Sequence, residues 1–352
     1  MKKEKLMQLE QLAPWFGFLF GLFLACSLAL FFKENPIQIL KIVTTSFLNS
    51  KYDFGLTLFY TTCLIFSGLA FAIPMKAGLF YIGSEGQLTI SATIAAILGA
   101  TLEVNSIVGL ILIFILTLLS GMLSALIIAL LKFYRKAHEV VVAIMLNFIL
   151  AALSTWLTIN HFQNPNSQNP ETGIILENFQ IFKSDPLKIY FDQSPVSSFF
   201  IIAILFCFLL KWLESKTLFF QIIKSYGANA DASKRFGFSE LKILSAVMLL
   251  AGFFSAFIGL TEVLGSSFQY KIGFSPAYGF LGIAVALLAR QNFIGIIASS
   301  FLIALLHKGA SDLDLETQFL TRDFSRVLQA LIIFCVAASY YVFSYKKRKG
   351  TL

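Results

Sequence analysis

AGLFYIGSEGQ, residues Ala77 to Gln87, sets a glutamate between two glycines in the middle of a strongly apolar chain. Gly78, Gly83 and Gly86 make this eleven-residue stretch a poor regular helix, because glycine loses more backbone freedom on ordering than any other residue. Glu85 is ionisable, and an ionised side chain inside a bilayer costs several kcal/mol unless it is paired or faces a polar cavity. The nature of this break therefore separates a membrane enzyme, a channel and a transport subunit.

The surrounding sequence establishes the class. Of 352 residues, 57% are hydrophobic and 13% are charged, with a mean hydropathy of +0.80. Soluble domains carry about 25% charged residues, so the composition is that of an all-α polytopic membrane protein. Ten candidate spans follow from the apolar runs, near 15–32, 56–74, 79–101, 105–131, 139–160, 197–213, 242–264, 277–290, 292–307 and 327–345. The whole chain reads as one transmembrane domain. Residues 33–55 read as an amphipathic interfacial helix, and 161–196, rich in Asn, Gln and Pro, as an extracytoplasmic loop or small cap. Residues 211–242 form a long cytoplasmic segment.

With the N-terminus inside and alternating spans, eighteen of the 27 lysines and arginines fall on the inner side, which places both termini in the cytoplasm. The same scatter through short loops explains the net charge of +8 as topology signals and argues against nucleic acid as a partner. The run from Trp15 to Phe32 reads as an uncleaved first span, since no small-residue cleavage site follows it.

Catalytic constellations are missing from the sequence. His138, His161 and His307 are scattered, and the HExxH-like start at His138–Glu139 has Val142 at the second ligand position. No GxSxG elbow occurs, and no Gly-Lys dipeptide, so the chain has no P-loop. Cys26, Cys63, Cys207 and Cys335 all lie in apolar runs and read as structural. Among titratable groups at membrane depth, Glu139, Glu262 and Arg290 fall near span ends and read as interfacial anchors, whereas Glu85 does not. Interrupted apolar segments at 77–87 and around 275–307 either line a solute pathway or serve close glycine packing. Within the cytoplasmic segment, GANADASKRFGFSE reads as a short helix with Asn229 or Asp231 as its cap and Gly237 as its end, either a docking knob or a solvated connector.

Five stretches resemble one family in order: AGLFYIGSEGQLTISA (77–92), HEVVVAIMLNFI (138–149), GANADASKRFGFS (227–239), AGFFSAFIGLTEVLG (251–265) and AYGFLGIAVALLARQNFIGI (277–296). They resemble the permease subunits of bacterial ABC importers of the ribose and branched-chain amino acid type, closest to nucleoside or simple-sugar permeases. The resemblance implies a solute pathway near Tyr81, Glu85, Gln87, Asn147, Tyr278 and Asn292. It implies a coupling helix for the ATPase built from Gly227, Ala228, Asn229, Ala232, Lys234, Arg235, Phe236 and Gly237. It also implies a bacterial cytoplasmic-membrane protein that binds no cofactor itself, ATP and Mg being used by a partner ATPase with duplicated nucleotide-binding domains. A second homologous permease and an extracytoplasmic binding protein or lipoprotein would complete the assembly. The chain departs from the family at Tyr81 and His138, where asparagine is usual, and at Phe293, near which proline is favoured. Alternatives within the same reading are a sugar or branched-chain amino acid permease, and outside it an ion-coupled secondary transporter using Glu85.

Overall fold

The computed structural model describes residues 16–24, 27, 35–165, 167–235 and 237–316, with scattered helical positions between 327 and 339. The expected spans at 327–345 and over most of 15–32 lie largely outside these residues.

The elements are helical throughout: α1 (Pro36–Thr45), α2 (Lys51–Lys76), α3 (Ser84–Thr101), α4 (Ser106–Arg135), α5 (Glu139–His161), α6 (Pro186–Tyr190), α7 (Phe199–Lys216), α8 (Leu218–Ala228), α9 (Ala230–Arg235), α10 (Glu240–Glu262), α11 (Tyr278–Leu288) and α12 (Phe293–Glu316). Five stretches, Lys51–Lys76, Ser106–Arg135, Glu139–His161, Glu240–Ser267 and Phe293–Leu313, are long and apolar enough to cross a membrane, and Tyr278–Leu288 is a shorter apolar helix.

Local sequence sets the helix starts. Asn35 accepts from the Ile37 amide with Pro36 at the first turn of α1. Ser50 accepts from the Asp53 amide to open α2, so the expected interfacial helix of 33–55 is divided, its last residues belonging to α2. At α5 the cap is His138, whose Nδ1 accepts from the Val140 amide at 3.4 Å, a role the family's usual asparagine would also suit.

Packing is organised around α2 and α10. In their membrane windows 83% and 72% of residues are buried, against 33% for α4 and 22% for α5. Helices α10, α11 and α12 pack on α2, while α4 and α3 pack on α10. The outward faces of α4 and α5 are apolar, with Ile107, Ile111, Met145 and Phe148 exposed, as suits contact with lipid or another apolar surface.

The segment 161–196 is an ordered cap. Its backbone bridges Glu171 to Lys271, and the Thr172 and Ile175 amides donate to the carbonyls of Tyr270 and Phe268. The buried Lys188 ammonium donates to the Gly265 carbonyl at 2.9 Å and lies over the Phe268 ring. The cap is thus tied to the π-helical turn Val263–Ser267 and the linker that follows it.

Candidate functional site

The break anticipated at 77–87 is real and sharply bounded: α2 ends at Lys76 and α3 begins only at Ser84, so the helix starts later than the expected span at 79. Pro74 accepts from the Ala77 and Leu79 amides, and Gly78 closes the turn at φ +74°, a left-handed position natural to glycine after a helix. Glu85 then sits in the first turn of α3 and reaches across to another helix start. Its Oε2 accepts from the Gly279 amide of α11 at 2.7 Å. One buried carboxylate therefore lies between two helix N-termini, where unpaired amides and aligned peptide dipoles favour negative charge. The approach is tight, because a Cβ on Gly279 would lie 2.5 Å from the Glu85 amide nitrogen.

Asn147 clamps the same turn from α5. Its Nδ2 donates to the Ile82 carbonyl and its Oδ1 accepts from the Gly86 amide, both at 2.9 Å. The carboxamide is engaged with the broken segment itself. Tyr81 folds back so that its hydroxyl donates to Gln87 Oε1, and the Ser84 and Ser255 hydroxyls meet at 2.7 Å, linking α3 to α10. Gln87 Nε2 is buried without a partner among the described residues. On the other side, Ser67 of α2 donates to the Tyr278 carbonyl at 2.6 Å. Ser67 lies nine residues before Lys76, about 14 Å along a helix of about 39 Å, so the junction is well inside the bundle.

Five of the six expected pathway residues, Tyr81, Glu85, Gln87, Asn147 and Tyr278, thus gather around the start of α3. Asn292 does not join them. It is exposed at the far end of α11, where its Oδ1 accepts from the Ile294 amide as the cap of α12. The resemblance placed Asn292 near the pathway at the start of the span expected at 292–307; the eleven-residue helix α11, about 16 Å long, lies between it and Tyr278.

A cavity of about 390 Å³ opens beside this junction. Its wall includes Tyr60, Glu262, Ser275, Tyr278, His307 and Ser311. Glu262 is therefore a cavity residue at the end of α10, a role its reading as an interfacial anchor did not include. It closes α10 where the helix widens into the π turn, a geometry with no recognisable sequence signal. Glu139 instead pairs with Lys132 at 2.7 Å across the α4–α5 turn, and Arg290 lies in the left-handed turn between α11 and α12.

The expected coupling segment is a helix followed by a break. α9 covers Ala230–Arg235, Asn229 Oδ1 accepts from the Ala232 amide at 2.9 Å, and Gly237 follows at φ +83°. Ala232 is half-buried and Arg235 exposed, Lys234 is described for its backbone only, and Phe236 lies outside the described residues. Just upstream, α8 anchors this segment with Phe220, Ile223 and Tyr226 buried, and Tyr226 donates to Glu240 at 3.0 Å. Residues 211–242 are mostly helical where a long loop was expected. Gly227 and Ala228 end α8, and Gly227 packs directly on the backbone of Lys76, Ala77 and Gly78.

Glu214 was missed in the sequence. It accepts from Lys76 at 2.7 Å, Lys224 at 2.9 Å and Lys211 at 3.2 Å, joining α2, α7 and α8. Burial raises its pKa, but the three ammonium groups outweigh that and hold it at about 2. Three acids, Glu214, Asp231 and Glu240, lie among the six basic residues of 211–242, so nothing in the sequence marked Glu214 out.

A multi-pass helical bundle with discontinuous helices meeting around a buried polar junction is an architecture common among membrane transporters. A profile described as branched-chain amino acid transport system / permease component matches residues 53–337, and the chain belongs to that family. It is 29% identical over 304 residues to the guanosine ABC transporter permease protein NupP of Bacillus subtilis (strain 168), covering 85% of this chain and 86% of that one. It is 29% identical to the nucleoside ABC transporter permease protein NupB of Lactococcus lactis subsp. cremoris (strain MG1363), over 94% of this chain and 92% of that one. The glucose ABC transporter permease protein TsgB13 of Haloferax volcanii is 24% identical over 89% of this chain and 83% of that one. A permease of this kind is a transporter component, and an ABC system supplies it with an ATPase partner.

Proposed function

We propose that this chain carries a nucleoside, or a related small polar solute, across the bacterial cytoplasmic membrane as the permease of an ABC importer. It holds no ATPase site of its own. ATP and Mg are used by an ATPase subunit with duplicated nucleotide-binding domains. A second homologous permease and an extracytoplasmic binding protein or lipoprotein complete the transporter. Three relatives support the solute range, two of them named for guanosine or nucleosides and one for glucose.

The observation that carries the mechanism is the contact between Gly227 and Gly78. It places the segment that would seat in the ATPase against the start of the broken membrane segment. From Gly78 the chain runs through residues 79–83 to Glu85, and Glu85 holds the α11 start, whose Ser275 and Tyr278 face the cavity. Movement of α9 on closure of the ATPase dimer is thereby transmitted to the cavity wall without a long lever. The free energy comes from nucleotide binding and hydrolysis, which favour one of two arrangements of the bundle.

The test is uptake and ATPase activity in the reconstituted assembly with Lys234→Glu and Arg235→Glu combined. Docking through this helix predicts a correctly inserted protein with uptake lost. Normal uptake in that double variant would remove the coupling role from α9. The glucose permease relative favours a second reading, a hexose as solute, and labelled uridine against labelled glucose in the same vesicles separates the two.

A further inference from the structure

We infer that Glu262 is the solute-orienting group of this permease, its carboxylate accepting hydrogen bonds from the vicinal hydroxyls of a nucleoside held in the cavity beside α11. The inference rests on the transport reading above and adds the site and the chemistry of recognition.

Glu262 lies on the cavity wall with Ser266, one π-helical turn further on. Among the described residues no side chain or amide donates a hydrogen bond to its carboxylate, and an electrostatic interaction links it to Lys271. This contrasts with the other internal acids. Glu85 is engaged by Gly279, Glu139 by Lys132, and Glu214 by three lysines. A carboxylate facing a cavity with its acceptor capacity unused calls for donors from whatever enters.

Part of the lining is aromatic. Tyr60 and Tyr278 have ring centroids 6.5 Å apart, and the His307 ring meets Tyr60 edge-on at 4.7 Å. These three aromatic residues and Glu262 line one space of about 390 Å³, within the usual size of a small-molecule site. A planar base against the aromatic wall and a sugar diol on Glu262 use both features at once. The π turn is what points Glu262 and Ser266 into the same space, since it displaces the register of α10 just past the carboxylate.

The test uses the complete transporter in membrane vesicles, with labelled uridine as solute and uridine or 2′,3′-dideoxyuridine as competitor. Expected for the unaltered protein is that the dideoxy compound competes at least about tenfold more weakly, as for one or two lost hydrogen bonds to a charged acceptor. Glu262→Leu and Glu262→Gln, both checked for membrane abundance, should bring the two competitors to within about twofold of each other. In Glu262→Gln the KM for uridine should rise about tenfold with the maximal rate retained. Full discrimination persisting in both variants would overturn the assignment while leaving the transport reading intact. Uptake of glucose and not uridine by the unaltered transporter would overturn the nucleoside reading and this site with it.

Discussion

Glu85 Oε2 and the Gly279 amide, 194 positions apart in sequence, meet at 2.7 Å and join the starts of α3 and α11. The joint needs an acceptor on one helix and a residue without Cβ on the other. Glu85→Gln keeps an acceptor oxygen and the shape, so uptake should fall only modestly. Glu85→Leu leaves a buried amide unpartnered, at about 1–3 kcal/mol, and uptake should be largely lost. Equal loss in the two variants, measured at matched membrane abundance, would argue that the charge itself is used in transport.

Gly279→Ala probes the other half of the joint. Its Cβ would lie 2.5 Å from the Glu85 nitrogen and 2.8 Å from its Cα, so one helix must shift. The expected cost is about 1–3 kcal/mol, read as a lower thermal midpoint of the purified permease. A neutral substitution would show that α11 moves freely at its start.

Gly227→Ala should separate ATP hydrolysis from transport. A Cβ there meets the Lys76 carbonyl oxygen and lies 2.9 Å from the Ala77 carbonyl carbon, forcing α8 away from the broken segment. Because Arg235 and its neighbours are untouched, the ATPase should still dock and hydrolyse ATP, while uptake drops several-fold. Uptake that tracks ATPase activity in this variant would contradict the linkage.

Asn147→Asp replaces a donor to the Ile82 carbonyl by a second acceptor while keeping the partner for the Gly86 amide. The prediction is a less stable protein than Asn147→Ala, since a carboxylate oxygen would face a carbonyl oxygen. Thermal unfolding of the two variants side by side checks the order.

The Glu214 cluster carries a pH signature. A carboxyl held at about 2, against an ordinary 4.5, stabilises the folded state above pH 4.5 and loses that contribution as pH falls toward 2. The stability difference between the unaltered protein and Glu214→Gln should therefore be flat from pH 7 to 5 and shrink below 4.5. A difference that persists undiminished at pH 3 would show that Glu214 is not the group holding the three lysines.

Much of the architecture was legible along the chain because a bilayer imposes length and apolarity on every crossing. The apolar runs between 56 and 307 coincide with helices, and the glycines of 77–87 marked a true interruption. Two candidate caps, Asn229 and Asp231, and Gly237 as terminator were readable for the same local reason, that turn chemistry is written within a few residues, and the structure selects Asn229. The fate of individual polar side chains was not. Asn292 was given by the family resemblance, and the structure sets it as the cap of α12, a helix length from Tyr278. Glu262 looked like a boundary residue, and a π turn set it on the cavity wall. Glu214 lay unnoticed among lysines contributed by three different helices.

Sequence alone determined the class, the helical stretches and the break at 77–83, because hydropathy and glycine content act locally. Tertiary structure alone decided that Glu85 caps a second helix, that Gly227 rests on Gly78, and which acid faces open space. Those are contacts between distant segments, set by how the helices pack, and packing has no signature in any single stretch of chain.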